Sequence, residues 1–392
     1  MTNRLATPER WRLMLLASGV GLLCGCLAAP PGGGAWAEYA VSEHELEPVS
    51  PDVDFVGVVD VALADPVLWV LDGAEPFVTR VDLSDPGEVL RFGTEGRGPA
   101  ELVRPVAIQP HAEGALVWDA AGGRVVVFGH DGSMLRTESL SQDRTGRIRP
   151  NLHEITYVDP WRIRVLEDET LYGHFPRGVD RAVDVAAGAL VRTTETLERG
   201  PTVVDFSDRV PRDASGVGVF AAMPLWDACE DIVMTWDPRA RSVIWLDADG
   251  AVRASVPLDL GPTELDVRDL EGYVRHVARL ELGPAFREAG IDFAQVAERQ
   301  LEALGTRATT FADLRCAPSG TAWLQLFDMT GDPLGRGKSW LRLGMNGAPE
   351  LFTFPEAFRP VAFADDGRAL GVMDEPLSQT LSLWRISTRN TQ

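Results

Sequence analysis

Four segments of this chain end an apolar strand on an aspartate, turn, and restart as a strand five residues later. They read "WVLDGAEPFVTRV", "LVWDAAGGRVVVF", "MTWDPRARSVIWL" and "GVMDEPLSQTLSLW", with Asp72, Asp119, Asp237 and Asp374 at the turns. Strands rich in Val, Leu and Trp, bounded by Gly, Asp and Pro, are the pattern of antiparallel hairpins. A second signature, a turn glycine opening another alternating strand, recurs as "GEVLRF", "GSMLRT", "GALVRT", "GAVRAS" and "GAPELF" at Gly87, Gly132, Gly188, Gly250 and Gly347. A short sheet repeated along a chain must stack on its neighbours to bury its faces, so the period of the repeat decides the architecture.

Asp72 and Asp119 lie 47 residues apart, and Asp237 and Asp374 lie 137 apart with Asp328 of "AWLQLFD" between them, leaving intervals of 91 and 46. The interval of 118 between Asp119 and Asp237 hides one more unit, marked by Gly188, with its second strand expected at "WRIRVLED". The surplus in the 91-residue interval is Pro262–Gly305, the one long stretch with helical periodicity; Asp292 with Gln295 makes a capping box and Gly305 a stop. Six units result. Radially repeated four-stranded units imply an all-β, six-bladed β-propeller with a helical insertion, residues 262–305, between blades four and five. The last unit ends at "LSLWRIST" without a fourth strand, and Glu38–Val49 is expected to supply it and close the ring. No Pro/Ser-rich linker interrupts the repeat after residue 50, so residues 38–392 read as one domain.

At the N-terminus, Arg4, Arg10 and Arg12 precede "LMLLASGVGLLCGCLAA", a run too short and too rich in small residues for a good membrane span but suited to an export signal. "LCGC" at Leu23–Cys26 resembles the lipobox of bacterial lipoproteins, which implies a signal peptide at 1–25, a lipidated Cys26 and a tether at 26–37; the rival is cleavage after Ala37 of "AWA". An envelope or periplasmic location follows from either, with membrane contact only through the lipid. Beyond the signal, Cys229 and Cys316 form an even pair in an oxidising compartment, open to reading as a disulfide or as two unrelated thiols.

The formal charge of −21 excludes nucleic acid as a partner, because phosphate binding needs a basic face. The glycine-rich "RFGTEGRGPAELVRPVAI" has no G-K-[ST] and no following helix, so it is a crossover between units rather than a phosphate cradle. From Phe92 to Leu135 the chain resembles one NHL-type propeller repeat: a glycine-rich lead, Pro105 before the inner strand, Asp119 followed five residues later by Arg124, and the Asp-Gly turn at Gly132. Phe77, Ser242 and Gln379 replace that arginine elsewhere. The whole is similar to the six-bladed propeller lipoproteins and exported proteins of bacteria, a resemblance that implies a binding role without naming a ligand.

In such a ring, loops between strands two and three share a face with the crossovers. That face would hold Asp72, Asp119, Asp237 and Asp374, the crossover arginines Arg97 and Arg104, and Arg144, Arg147 and Arg149 of "SQDRTGRIRPN", together with the loop "ETLYGHFPRGVD" and the insertion. The aspartates are read as turn-forming acceptors. The arginines, in an acidic chain, are read as sites for an anionic ligand or a protein partner, against intramolecular pairing with Glu95, Glu101 and Asp143. His111, His130, Asp131, Cys229 and Cys316 fall on the opposite face. No catalytic residue, metal ligand or cofactor is assigned. The alternative is a lactonase-like, metal-dependent hydrolase or lyase in the central channel, using Ca or Zn, toward which only His153 and Glu154 point. The chain is expected to act as a monomer.

Overall fold

The computed structural model describes residues 36–41, 46–49, 53–64, 66–85, 88–139, 162–165, 171–175, 189–193, 199–206, 225–281, 293–304, 307–329, 336–364, 368–374 and 379–385. Within them the Asp-turn-strand signature forms hairpins in the register its spacing dictates. Asp119 stands opposite Arg124, Asp237 opposite Ser242, and Asp374 opposite Gln379. Gly132, which follows the Asp119–Arg124 hairpin, has a φ of 78°, a left-handed value that a side chain would strain, and a Cβ there would meet the Phe92 ring at 2.8 Å.

The hairpins pair on into antiparallel sheets, numbered here along the chain. Sheet one runs from Val58–Ala64 to Val89–Phe92, sheet two from Pro105–His111 to Met134–Ser139, sheet three from Arg162–Val165 to Arg199–Asp205, and sheet four from Trp226–Cys229 to Val252–Pro257. Sheet five runs from Phe311–Cys316 to Glu350–Thr353, and sheet six joins Phe358–Phe363, Arg368–Asp374 and Gln379–Arg385 to Leu46–Pro48. The protein is an all-β propeller. The expected unit of four strands occurs five times rather than six, because sheet five carries a fifth strand, Ala37–Ala40, which pairs in parallel with Glu350–Thr353.

Two further expectations are corrected. "WRIRVLED" holds the first strand of sheet three, Arg162–Val165, not the second; the second is Leu171–Phe175, inside the segment read as a loop. Glu38–Val49 does not act as one strand either: its start joins the strand on sheet five, and Leu46–Pro48 pairs antiparallel with the last strand of sheet six, Leu46 opposite Trp384.

Among the described residues, sheets six and one, one and two, three and four, four and five, and five and six share apolar layers, which is what period-two strands buried on both faces require. Val70 and Val81 of sheet one pack with Leu370 and Val372 of sheet six, and Leu71 and Val78 with Ile108 and Val126 of sheet two. Leu190 of sheet three packs with Trp226 and Val233 of sheet four; Trp236 and Trp245 of sheet four pack with Leu324 and Leu341 of sheet five. Trp323 of sheet five stacks on Phe363 of sheet six at 4.1 Å between centroids. Each large side chain so buried contributes about 1.5–3 kcal/mol, and the layers together orient the first strands toward a common axis.

Pro262–Gly305 contains two helices, α1 (Val267–Glu281) and α2 (Phe293–Leu304). Asp266 caps α1 by accepting from the Arg268 and Asp269 amides, while Asp269 accepts from the Asp266 amide, a reciprocal box. Leu270 and Ala297 are fully buried against Ala308 and Phe327, so the described part of the pair packs on sheet five at the crossover end of its strands.

Candidate functional site

The inner strands are largely apolar and carry a few charges: Asp60 in "VVDVALA", Arg162 and Arg164 in "RIRV", Asp227 in "WDAC", Asp313 and Arg315 in "FADLRC", and Arg359 in "FRPVAF". Because the apolar layers fix these strands side by side, several of these charges meet. The Asp60 carboxylate accepts from the Ile108 amide at 3.0 Å and lies 4.0 Å from the Arg164 guanidinium. Arg164 Nε donates to Asp227 Oδ1 at 2.5 Å, and Asp227 Oδ2 accepts from the Cys316 amide at 2.9 Å. A belt of charge thus ties sheets one to five around the axis.

Above this belt lies a cavity of about 640 Å³ to which all the sheets contribute, including Gln109, Arg164, Asp227, Glu230, Arg315 and Arg368. Its volume falls within the range of small-molecule sites. Arg315 is held by Asp313, Nε to Oδ2 at 2.7 Å, with 23% of its side chain exposed. Burial opposes the charge of Arg315, but the attraction of Asp313, Asp227 and Asp60 outweighs it and holds the guanidinium above its ordinary pKa. Gln109 is 6% exposed and its amide group donates to the Ile108 carbonyl.

The cavity opens among the turns between first and second strands, the face opposite the crossovers. Cys229 and Cys316 sit on its rim, joined as a disulfide with their Cα atoms 5.8 Å apart, linking sheets four and five. Glu230, next to Cys229, has a left-handed φ of 48°, and is exposed. For a residue other than glycine this costs of order 1 kcal/mol and marks a place where surrounding structure dictates the backbone.

The crossover arginines are elsewhere. Arg97 and Arg104 are exposed, and neither lines the cavity. Arg144, Arg147 and Arg149 lie outside the described residues, as do Cys26, His153 and Glu154. The crossover itself uses its polar groups internally: the Gly98 amide donates to Glu101, and Arg124 donates to the Gly98 and Glu101 carbonyls. Asp72 accepts from the Val56 and Gly57 amides, and Asp119 from those of Val103, Arg104 and Gly122 and from Arg124 Nε. These two aspartates therefore pin the crossover that enters each sheet, while Asp237, among the described residues, accepts from its own turn, at the Arg239 and Ala240 amides. The side chain of Asp374 is outside the description. Among the described residues, no group of three or more His, Cys, Asp or Glu side chains is placed to hold a metal ion, and no helix is long and apolar enough to cross a membrane.

The axial residues carry no loop or turn signature that would mark them in the sequence. The signal available in the sequence is one or two charged residues inside an otherwise apolar first strand.

No protein-family model matches the chain, and no curated protein sequence matches it. Solved structures do. A candidate exported protein of Bacteroides fragilis is 9% identical over 89% of this chain and 98% of its own, with a TM-score of 0.50. A member of the DUF4221 family from Bacteroides vulgatus is 9% identical over 88% and 98%, TM-score 0.49, and virginiamycin B lyase from Staphylococcus aureus is 11% identical over 87% and 99%, TM-score 0.41. The likeness at such identities is one of fold: a β-propeller.

Proposed function

We propose that this chain is an exported binding protein that takes a small anionic ligand into the axial cavity. One observation carries the reading. In a chain of net charge −21, the cavity wall presents three arginines, Arg164, Arg315 and Arg368, against two carboxylates, Asp227 and Glu230. Asp60 and Asp313 stand behind Arg164 and Arg315 and pair with them, so the guanidinium groups that reach the cavity surface, rather than a net positive field, favour an anion, because arginine matches carboxylate and phosphate oxygens in pairs. The anionic ligand expected from the crossover arginines is thereby moved to the other face. In this reading sheet five counts as a blade with an added strand, the ring has six blades, and Leu46–Pro48 closes it. Export rests on the arginine-led apolar signal, and anchoring on lipidation of Cys26.

Calorimetric titration with small carboxylates and phosphates tests the reading, using the wild type and an Ala112→Trp variant. Ala112 is exposed on the cavity wall, so a large ring there narrows the mouth without disturbing the core. Anion binding in the wild type, weakened at least about tenfold in the variant, is the expected result. Equal binding by both would place the anion outside the cavity.

A further inference from the structure

We propose that the ligand is a zwitterion whose carboxylate is taken by Arg315 and whose ammonium group is taken by Glu230; this rests on the axial cavity being the binding site. The two residues flank the two halves of the disulfide, Glu230 following Cys229 and Arg315 preceding Cys316. With the bridged Cα atoms 5.8 Å apart, and about 3.8 Å between consecutive Cα atoms, the Cα atoms of Glu230 and Arg315 are within about 13 Å of each other. Both side chains line the same cavity. Yet they do not pair: among the described residues Arg315 is ion-paired only with Asp313, through Nε, and Glu230 with none. The outer guanidinium nitrogens of Arg315 are therefore left to form the planar fork that a carboxylate accepts in two hydrogen bonds.

Opposite charges held close but apart are bridged by a molecule carrying both. The surroundings of Arg315 favour this over a multiply charged anion. Asp227, Asp313 and Asp60 all act on its guanidinium, and they would repel a second negative charge brought to the same place. Glu230 is fixed by its left-handed backbone at the mouth, where a ligand's ammonium group would arrive last. The chemical class is an ω-amino acid or a short peptide with free termini, its two charges separated by several bonds.

Titration of the mature, oxidised protein with 6-aminohexanoate, triglycine, hexanoate and hexylamine tests this. The expected result is that 6-aminohexanoate or triglycine binds at least tenfold more tightly than hexanoate or hexylamine. Glu230→Gln should abolish that advantage, read as the ratio of 6-aminohexanoate to hexanoate affinity falling to about one. Arg315→Gln should remove binding of every carboxylate, and Arg315→Lys, which keeps the charge but not the fork, should restore part of it if folding is intact by circular dichroism. Equal affinity for hexanoate and 6-aminohexanoate in the wild type, or an undiminished ratio in Glu230→Gln, overturns the zwitterion; hexanoate binding that still depends on Arg315 would leave the anion-binding reading standing. Binding of none of the probes overturns both.

Discussion

Removing the Cys229–Cys316 bridge gives the sharpest energetic test of how sheets four and five are joined. The bridge closes a loop across a sequence separation of 87 residues, for which chain entropy predicts about 4.6 kcal/mol of destabilisation of the unfolded state at 25 °C. Other ties between the two sheets survive its loss. The Asp227 carboxylate still accepts from the Cys316 amide, Trp245 Nε1 still donates to the Gly320 carbonyl at 2.8 Å, and the apolar layer of Trp236, Leu324 and Leu341 remains. The double variant Cys229→Ala, Cys316→Ala should therefore fold to the same structure, and its cost should lie in the unfolded chain, at about 3–4.6 kcal/mol. With an m of about 3 kcal/mol/M, the urea midpoint falls by roughly 1–1.5 M, followed by tryptophan fluorescence. The m-value should also rise, since an uncrosslinked unfolded chain exposes more surface. A midpoint unchanged by substitution or by reduction would refute the reasoning, as would two reactive thiols in unreduced, unfolded protein.

Asp119→Ala should cost about 3–5 kcal/mol, because it strands the buried Arg124 guanidinium as well as three amides, whereas Asp237→Ala, whose bonds among the described residues are to two turn amides, should cost about 0.5–1.5 kcal/mol; urea unfolding that ranks them equally would contradict the crossover-pinning role. Asp82 and Asp131 are held below their ordinary pKa of 3.8, chiefly by the hydroxyls of Ser84 and Ser133, so their stabilising contribution is fully present above 3.8 and fades as pH falls through the depressed values. Ser84→Ala should return the Asp82 titration toward 3.8 by NMR and leave Asp131 unmoved. Cys26→Ser should release the protein from the membrane fraction, and a mature N-terminus at Glu38 by mass spectrometry would rule the lipid anchor out.

The hairpins were legible because their information is local. An aspartate five residues before the restart of a strand sets both the turn and the register, and Asp119 opposite Arg124 follows from spacing alone. The blade boundaries are less legible where a strand carries no turn signature, as in "WRIRVLED", whose place as the first rather than the second strand of its sheet nothing local marks. The parallel addition of Ala37–Ala40 was not legible at all, since nothing in four residues specifies the distant edge they join. Arg315 shows the same limit at the site: its neighbours in sequence give it a strand and its first partner, Asp313, but Asp227 and Asp60, which add to the hold on its charge, come from other sheets.

By itself, then, the sequence determined a repeated antiparallel sheet and hence a propeller, because period-two burial and turn chemistry act over a few residues. Which face carries the cavity, and which charges meet there, was decided only when the sheets packed around one axis. Residues 60, 164, 227 and 315 are separated by long stretches of chain, and only the layering of tryptophan, leucine and valine between sheets brings them together. Local propensity has no access to that distance, whereas burial of those apolar layers does.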